Sequence, residues 1–175
     1  LDFLSQGFSA QETEKKLIEA DQGREHRQLH MIDAQGRIAA HTGSACIDWC
    51  GHLAGEGFSV AGNMLAGQEV IRRTAEKYES AQELPFGERL ISALAAGEAA
   101  GGDKRGKQAA ALRIYTTEDY PFLDLRVDDH AEPIRELQRL YALSLERLQP
   151  FCACLPSRAR PAGITDREVI EEEVA

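Results

Sequence analysis

The sequence predicts an α+β fold, and three observations carry that prediction. β-like runs arrive in pairs, as at 28–33 and 37–42, which are joined by the turn Asp33-Ala34-Gln35-Gly36 with glycine supplying a positive φ. Runs with helical periodicity also come in pairs, at 67–80 and from Pro85 to the Gly101-Gly102 stop. Strands and helices therefore do not alternate in the βαβ winding that a parallel sheet needs.

Taken in order, residues 1–4 read as the end of a helix closed by Gly7. Ser9-Ala10-Gln11-Glu12 is a capping box and opens a helix to about Asp21, with Leu17 and Ile18 inward. The 28–42 hairpin follows. A stretch with Gly51, Gly55 and Gly57 then leads to a short strand at 58–61. Val70, Ile71, Thr74, Ala75 and Tyr78 share one helical face, and Leu90, Ile91, Leu94 and Ala95 share the next. Runs 109–116 and 122–127 read as paired buried strands, for about five strands in all. Their apolar, Ala-rich faces predict a sheet covered on both sides. Ile134, Leu137, Tyr141, Leu145 and Leu148 stripe a long helix from near Ala131. Pro150, Pro156 and Pro161 break the chain into a connector, and a last acidic helix has Thr165 as N-cap and Glu168 as box partner. The predicted organisation is one main domain over 1–149 and a connector with a short acidic helix over 150–175.

Bulk composition narrows the function. The 175 residues hold 29 acidic and 20 basic side chains, a net charge of −9. That balance argues against nucleic acid and against an anionic membrane surface, both of which need clustered Lys and Arg. No apolar run approaches the roughly 20 residues of a membrane helix. Four cysteines in two close pairs, Cys46/Cys50 and Cys152/Cys154, read as reduced thiols, so a cytoplasmic location is expected. The chain opens on Leu1 without a methionine, so the expectation is that an N-terminal segment, with any signal it carries, precedes it.

Several segments could carry chemistry. Gly101-Gly102-Asp103-Lys104-Arg105-Gly106-Lys107-Gln108 nearly satisfies the P-loop pattern, yet Gln108 replaces the magnesium-binding hydroxyl and the loop runs from helix to strand, the reverse of a P-loop. A solvated connecting loop is the plain reading. Against it, three glycines free backbone N–H groups for a ligand beside the fork donor Arg105 and the amide of Gln108. Asp128-Asp129-His130 joins strand to helix: the carboxylates could tune one another or orient the imidazole, or could simply complement the helix start, which is the preferred reading for Asp129 and His130. Asn63, in Gly62-Asn63-Met64, could face a carbonyl oxygen or form an Asx turn. Cys46-x₃-Cys50-x-His52 lacks the knuckle spacing of a structural zinc site, so no metal and no cofactor are expected. Thr42-Gly43 could mimic an internal threonine nucleophile, but a hairpin end followed by glycine accounts for it without chemistry.

These segments also occur together in a fixed order. Asp21-Gln22-Gly23-Arg24-Glu25-His26-Arg27-Gln28-Leu29, Ile32-Asp33-Ala34-Gln35-Gly36-Arg37, His41-Thr42-Gly43 and Ala61-Gly62-Asn63-Met64-Leu65 precede the loop through Leu112, and Leu125-Arg126-Val127-Asp128-Asp129-His130 follows it. The run resembles the bacterial domain-of-unknown-function family ten-twenty-eight, grouped with the N-terminal-nucleophile (Ntn) hydrolases. That resemblance implies a four-layer αββα sandwich whose N-terminal strands lie ahead of Leu1. It implies amide hydrolysis by an N-terminal Thr, Ser or Cys whose own amine is the base. Leu1 has no nucleophilic atom, so the resemblance places the nucleophile upstream of Leu1. It offers Asn63, Asp103, Arg105, Gln108 and Asp128 as contacts to a small amide- or peptide-like ligand. A non-catalytic binding or structural module on the same fold is the alternative. The connector and last helix, with few inward apolar positions, imply packing on a second subunit, hence a homodimer.

Overall fold

The computed structural model describes residues 1–47 and 49–174. Strands β1 (Gln28–Ile32) and β2 (Ile38–Thr42) pair antiparallel, with Gln28 opposite Thr42 and Ile32 opposite Ile38. Strands β3 (Gly51–Gly55) and β4 (Phe58–Gly62) form a second hairpin, with Gly51 opposite Gly62. By its internal contacts the chain forms two units, residues 1–81 with 93–106 and residues 82–92 with those from 107 onward.

In the first unit the two hairpins lie against each other, β1 beside β4 and β2 beside β3. Helix α2 (Ala10–Ala20) rests on β1 and β2, and helix α3 (Gln68–Ser80) on β3 and β4. A short helix α1 (Asp2–Ser5) precedes α2 and ends ahead of Gly7, whose φ is +89°. The capping box predicted for α2 is present: Ser9 Oγ accepts from the Glu12 N–H, and the Glu12 carboxylate accepts from the Ser9 N–H at 2.8 Å. Asp33, in the β1–β2 turn, accepts from the Ala10 N–H at 3.0 Å, so the hairpin fastens the first turn of α2. On the other side the Phe58 ring of β4 meets Tyr78 of α3 at 4.8 Å between centroids.

Strand β3 corrects the prediction, which left 51–55 as a Gly-rich loop. Glycine is a poor strand former because it offers no side chain to bury. Here neighbouring rings cover the bare backbone: a Cβ on Gly51 would meet the Trp49 ring at 2.4 Å, and one on Gly55 the Phe58 ring at 2.0 Å.

The second unit is built on β5 (Ala110–Ile114) and β6 (Leu123–Val127), paired antiparallel. Leu123, Leu125 and Val127 are buried while Asp124 and Arg126 are exposed, so this sheet buries one face and not the two predicted. The buried face packs with Leu112 and Ile91, the latter from the first half of helix α4 (Phe86–Ala99). Leu137 and Tyr141 from helix α5 (Pro133–Leu143) complete that core. Burying a leucine as fully as Leu137 stabilises by about 1.5–3 kcal/mol. Pro150 does not break the chain as predicted. A π-helical turn (Ser144–Leu148) shifts the register so that Pro150 falls in the first turn of helix α6 (Gln149–Cys154), where no proline N–H is needed. The final helix α7 (Arg167–Val174) is capped by Asp166, whose carboxylate accepts from the Glu168 N–H at 3.0 Å, and not by Thr165.

Candidate functional site

The open ends of the two hairpins of the first unit carry polar side chains on their facing sides. Gln28 begins β1 and Thr42 ends β2, directly across from it. Gln28 Nε2 lies 2.9 Å from Gly51 O, 3.0 Å from Gly62 O and 3.0 Å from Thr42 Oγ1. Two backbone carbonyls fix which end of the amide points inward, since a carbonyl oxygen there would face two others. Amide nitrogen has no lone pair to offer, so Thr42 Oγ1 must accept from it or turn its own hydrogen elsewhere. Nδ1 of His52 on β3 is 2.9 Å from that oxygen. Which of the two atoms donates is set by the His52 tautomer. Asn63 donates from Nδ2 to Gln28 Oε1 over a long 3.4 Å, which uses one of its two amide hydrogens.

The chain from Asp21 to Arg27 holds Thr42 in place. Through its 3₁₀ turn (Arg24–His26), this stretch runs so close to Gly43 that a Cβ there would meet Glu25 O at 2.3 Å and Arg24 O at 2.4 Å. Gly43 donates its N–H to Arg27 O, His41 Nε2 meets Arg24 O at 3.0 Å, and Ser44 donates from N and Oγ to the Glu25 carboxylate. The Ser44 bonds hold that carboxyl below the usual range. Thr42 and His52 line a cleft of about 560 Å³ whose walls include Trp49, Leu53, Ile71 and Arg72. The Arg72 guanidinium is held by Glu69 and Glu76, which offset its charge.

The structure brings some predicted residues together. In the first unit, residues 63–66 run along the Gly-rich loop: Leu65 and Asp103 bridge antiparallel, Ala66 donates to Gly102 O, and Lys104 donates to Met64 O. Asn63 and Asp103 are thus carried on adjacent segments. Met64, between them, has φ +54°, a conformation that costs a non-glycine residue energy and recurs near functional sites. Arg105 folds back on Asp103, donating from its backbone at 2.8 Å and from Nε at 2.9 Å, so the loop closes on itself. Those Arg105 bonds hold the Asp103 carboxyl at about 2. In the second unit Gln108 donates to Asp129 at 3.2 Å and its carbonyl accepts from the His130 N–H at 2.9 Å. His130 Nδ1 accepts from the Glu132 N–H, and Asp128 pairs with Arg126 at 2.7 Å. Asp129 and His130 therefore tie the loop's end to the start of α5.

The sequence marked Thr42 and His52 only separately, one as a mimic of a threonine nucleophile and the other beside two cysteines, and did not join them with Gln28 as a site. Their signal was weak: Gln28 and Thr42 lie at paired strand ends and are half-buried, while His52 falls on an exposed position of β3. Among the described residues no three His, Cys, Asp or Glu side chains converge as a metal set. Cys46 and Cys50 lie in the first unit and Cys152 and Cys154 in the second. Burial pushes the Cys152 thiol up, away from the reactive thiolate. No helix among the described residues is long and apolar enough to cross a membrane.

These features define an α+β protein with a polar, hydrogen-bonded cleft between the open ends of two hairpins. The chain belongs to the Family of unknown function (DUF1028), whose model matches residues 1–137. Protein SPO2555 from Silicibacter pomeroyi, a DUF1028 protein known from a crystal structure, is similar at 30% identity with a TM-score of 0.82. The match covers 93% of this chain and 70% of that one. No curated protein matches.

Proposed function

We propose that the protein is an amide hydrolase of the N-terminal-nucleophile type, acting on a small amide- or peptide-like substrate. The observation that supports this reading is the helix–hairpin–hairpin–helix order of the first unit, α2 on one hairpin and α3 on the other. That order is what a four-layer αββα sandwich needs in its middle and on its faces. The nucleophile is proposed to come from a segment ahead of Leu1, and the polar end of the two hairpins to receive the scissile group. Asn63, with an amide hydrogen to spare, is proposed to face the carbonyl oxygen. Turnover of a panel of small amides by the protein expressed from its natural gene tests this. Asn63→Ala should lower kcat about 10²-fold, the usual cost of one oxyanion donor. An unchanged kcat would remove that role.

A binding module without catalysis is the second reading, and the Asp103–Arg105 pair favours it. A guanidinium already held by its own loop is a clasp before it is a ligand contact. On this reading Arg105→Ala lowers stability and leaves the affinity for acidic small molecules unchanged. On the hydrolase reading it weakens that affinity. We also propose a homodimer, supported by the exposed apolar side chains Leu145, Leu148 and Phe151 of the second unit. A monomer by light scattering would remove it.

A further inference from the structure

We infer that Thr42 is a reacting hydroxyl in its own right, with His52 as its base, able to accept an acyl or phosphonyl group in the Trp49 cleft. This goes beyond the proposed function, because both groups belong to this chain and neither needs an N-terminal amine. Four observations converge on it. Thr42 Oγ1 is 2.9 Å from His52 Nδ1, inside the reach a nucleophile and its base require. The Gln28 amide lies 3.0 Å from the same oxygen and cannot accept a hydrogen, so the hydroxyl rotor is set toward the imidazole. Gln28 is itself held by Gly51 O and Gly62 O, backbone atoms of the paired strand ends, so the base, the hydroxyl and the group that sets its rotor sit on rigid elements. Both Thr42 and His52 line the cleft, so a ligand lodged there meets the hydroxyl.

A structural role explains less. A threonine that only ended a strand would not need an imidazole acceptor. The cleft chooses the substrate class. Trp49, Leu53 and Ile71 give it an apolar wall, and Arg72 is already engaged by two carboxylates. An uncharged acyl ester or amide with an apolar acyl part fits that lining. In the step itself, Thr42 Oγ1 bonds to the carbonyl carbon and its proton passes to His52 Nδ1. The bond to the leaving group breaks, and the leaving group departs with the proton from His52. Water then gives a proton to His52 as its oxygen bonds to the acyl carbon. The Thr42 Oγ1–acyl bond breaks, and His52 returns the proton to Oγ1, releasing the free acid.

An alkyl fluorophosphonate tests this on the protein expressed from its natural gene. Here the Oγ1–P bond forms, the P–F bond breaks, fluoride leaves, and the proton goes through His52 to solvent. Peptide mapping should place one phosphonyl group on Thr42. Thr42→Val should abolish that adduct and Thr42→Ser should restore it. His52→Gln should slow labelling about 10²-fold, the contribution expected of a general base. Gln28→Glu should slow it with Thr42 and His52 intact, and should move the His52 Nδ1 nitrogen resonance as the hydroxyl turns to the carboxylate. An adduct on the N-terminal residue alone overturns the inference and leaves the proposed function standing. No adduct, or equal labelling of Thr42→Val, also overturns it.

Discussion

Gln28 sits where three oxygens converge, and its amide can serve them only in one orientation. The consequence for His52 is measurable. Long-range nitrogen correlation spectra of neutral protein should show His52 with its proton on Nε2 and a bare Nδ1; the opposite tautomer would make His52 the donor to Thr42 and remove it as a base. Gly43 is the other residue on which the site depends. A side chain there would overlap two backbone carbonyls, which cannot step aside as a flexible side chain can. Gly43→Ala is expected to cost about 1–3 kcal/mol in urea unfolding, the range for forced overpacking. A variant as stable as the parent would mean that the stretch 21–27 does not clasp Thr42. Both residues were visible in the sequence only as letters of recurring segments. Their roles depend on segments 14 to 34 residues apart in the chain meeting in space, which no local period records.

Among elements, the turn between β1 and β2 does more than reverse the chain. Burial of Asp33 would raise its pKa, but bonds from the Ala10 N–H, the Arg37 side chain and N–H, and the Gln35 N–H outweigh it and hold the carboxyl at about 2. A depressed carboxyl stabilises the fold fully above its unfolded value of about 3.9, and that contribution is lost as pH falls through about 2. Asp33→Asn should therefore be less stable than the parent at pH 5, with the gap closing as pH approaches 2. A gap that stays constant would show that the charge of Asp33 does not matter. The cap itself is separable: Ser9→Ala should cost about 1 kcal/mol by thermal melting. Most elements were legible because their signals are local. The capping box of α2, the Asp33–Gly36 turn, the Ile134, Leu137 and Tyr141 part of the predicted stripe and the pairing of β5 with β6 follow from spacing alone. Leu145 and Leu148 of that stripe, by contrast, lie beyond α5 and are exposed. Strand β3 was not legible, because its glycines are covered by Trp49 and Phe58 from outside the strand. The path through Pro150 was hidden for a similar reason, since a π-helical turn upstream decides where the proline falls.

At the scale of the whole molecule, each unit has its own stabilising logic. The second is a one-faced sheet whose core centres on Leu137, fully buried, so Leu137→Ala is expected to cost about 2–5 kcal/mol in chemical unfolding. A smaller loss would mean that α5 collapses onto the sheet without it. The first is two hairpins between helices, with polar groups where a simple core would be apolar. The α+β class was legible from paired strands and paired helices. The site was legible only in part: Asn63 and Asp103 do lie on neighbouring segments, while Thr42 and His52 needed the second hairpin, half of which the sequence hid. The central claim, that the family member is an N-terminal-nucleophile amide hydrolase, turns on one measurement. The first residue of the mature protein, made from its natural gene, should be determined by intact mass and terminal sequencing, with amide turnover followed on the same sample. The account predicts an exposed Thr, Ser or Cys and turnover that stops when its α-amine is blocked. An inert first residue together with amide turnover indifferent to blocking, or no turnover at all, would contradict it.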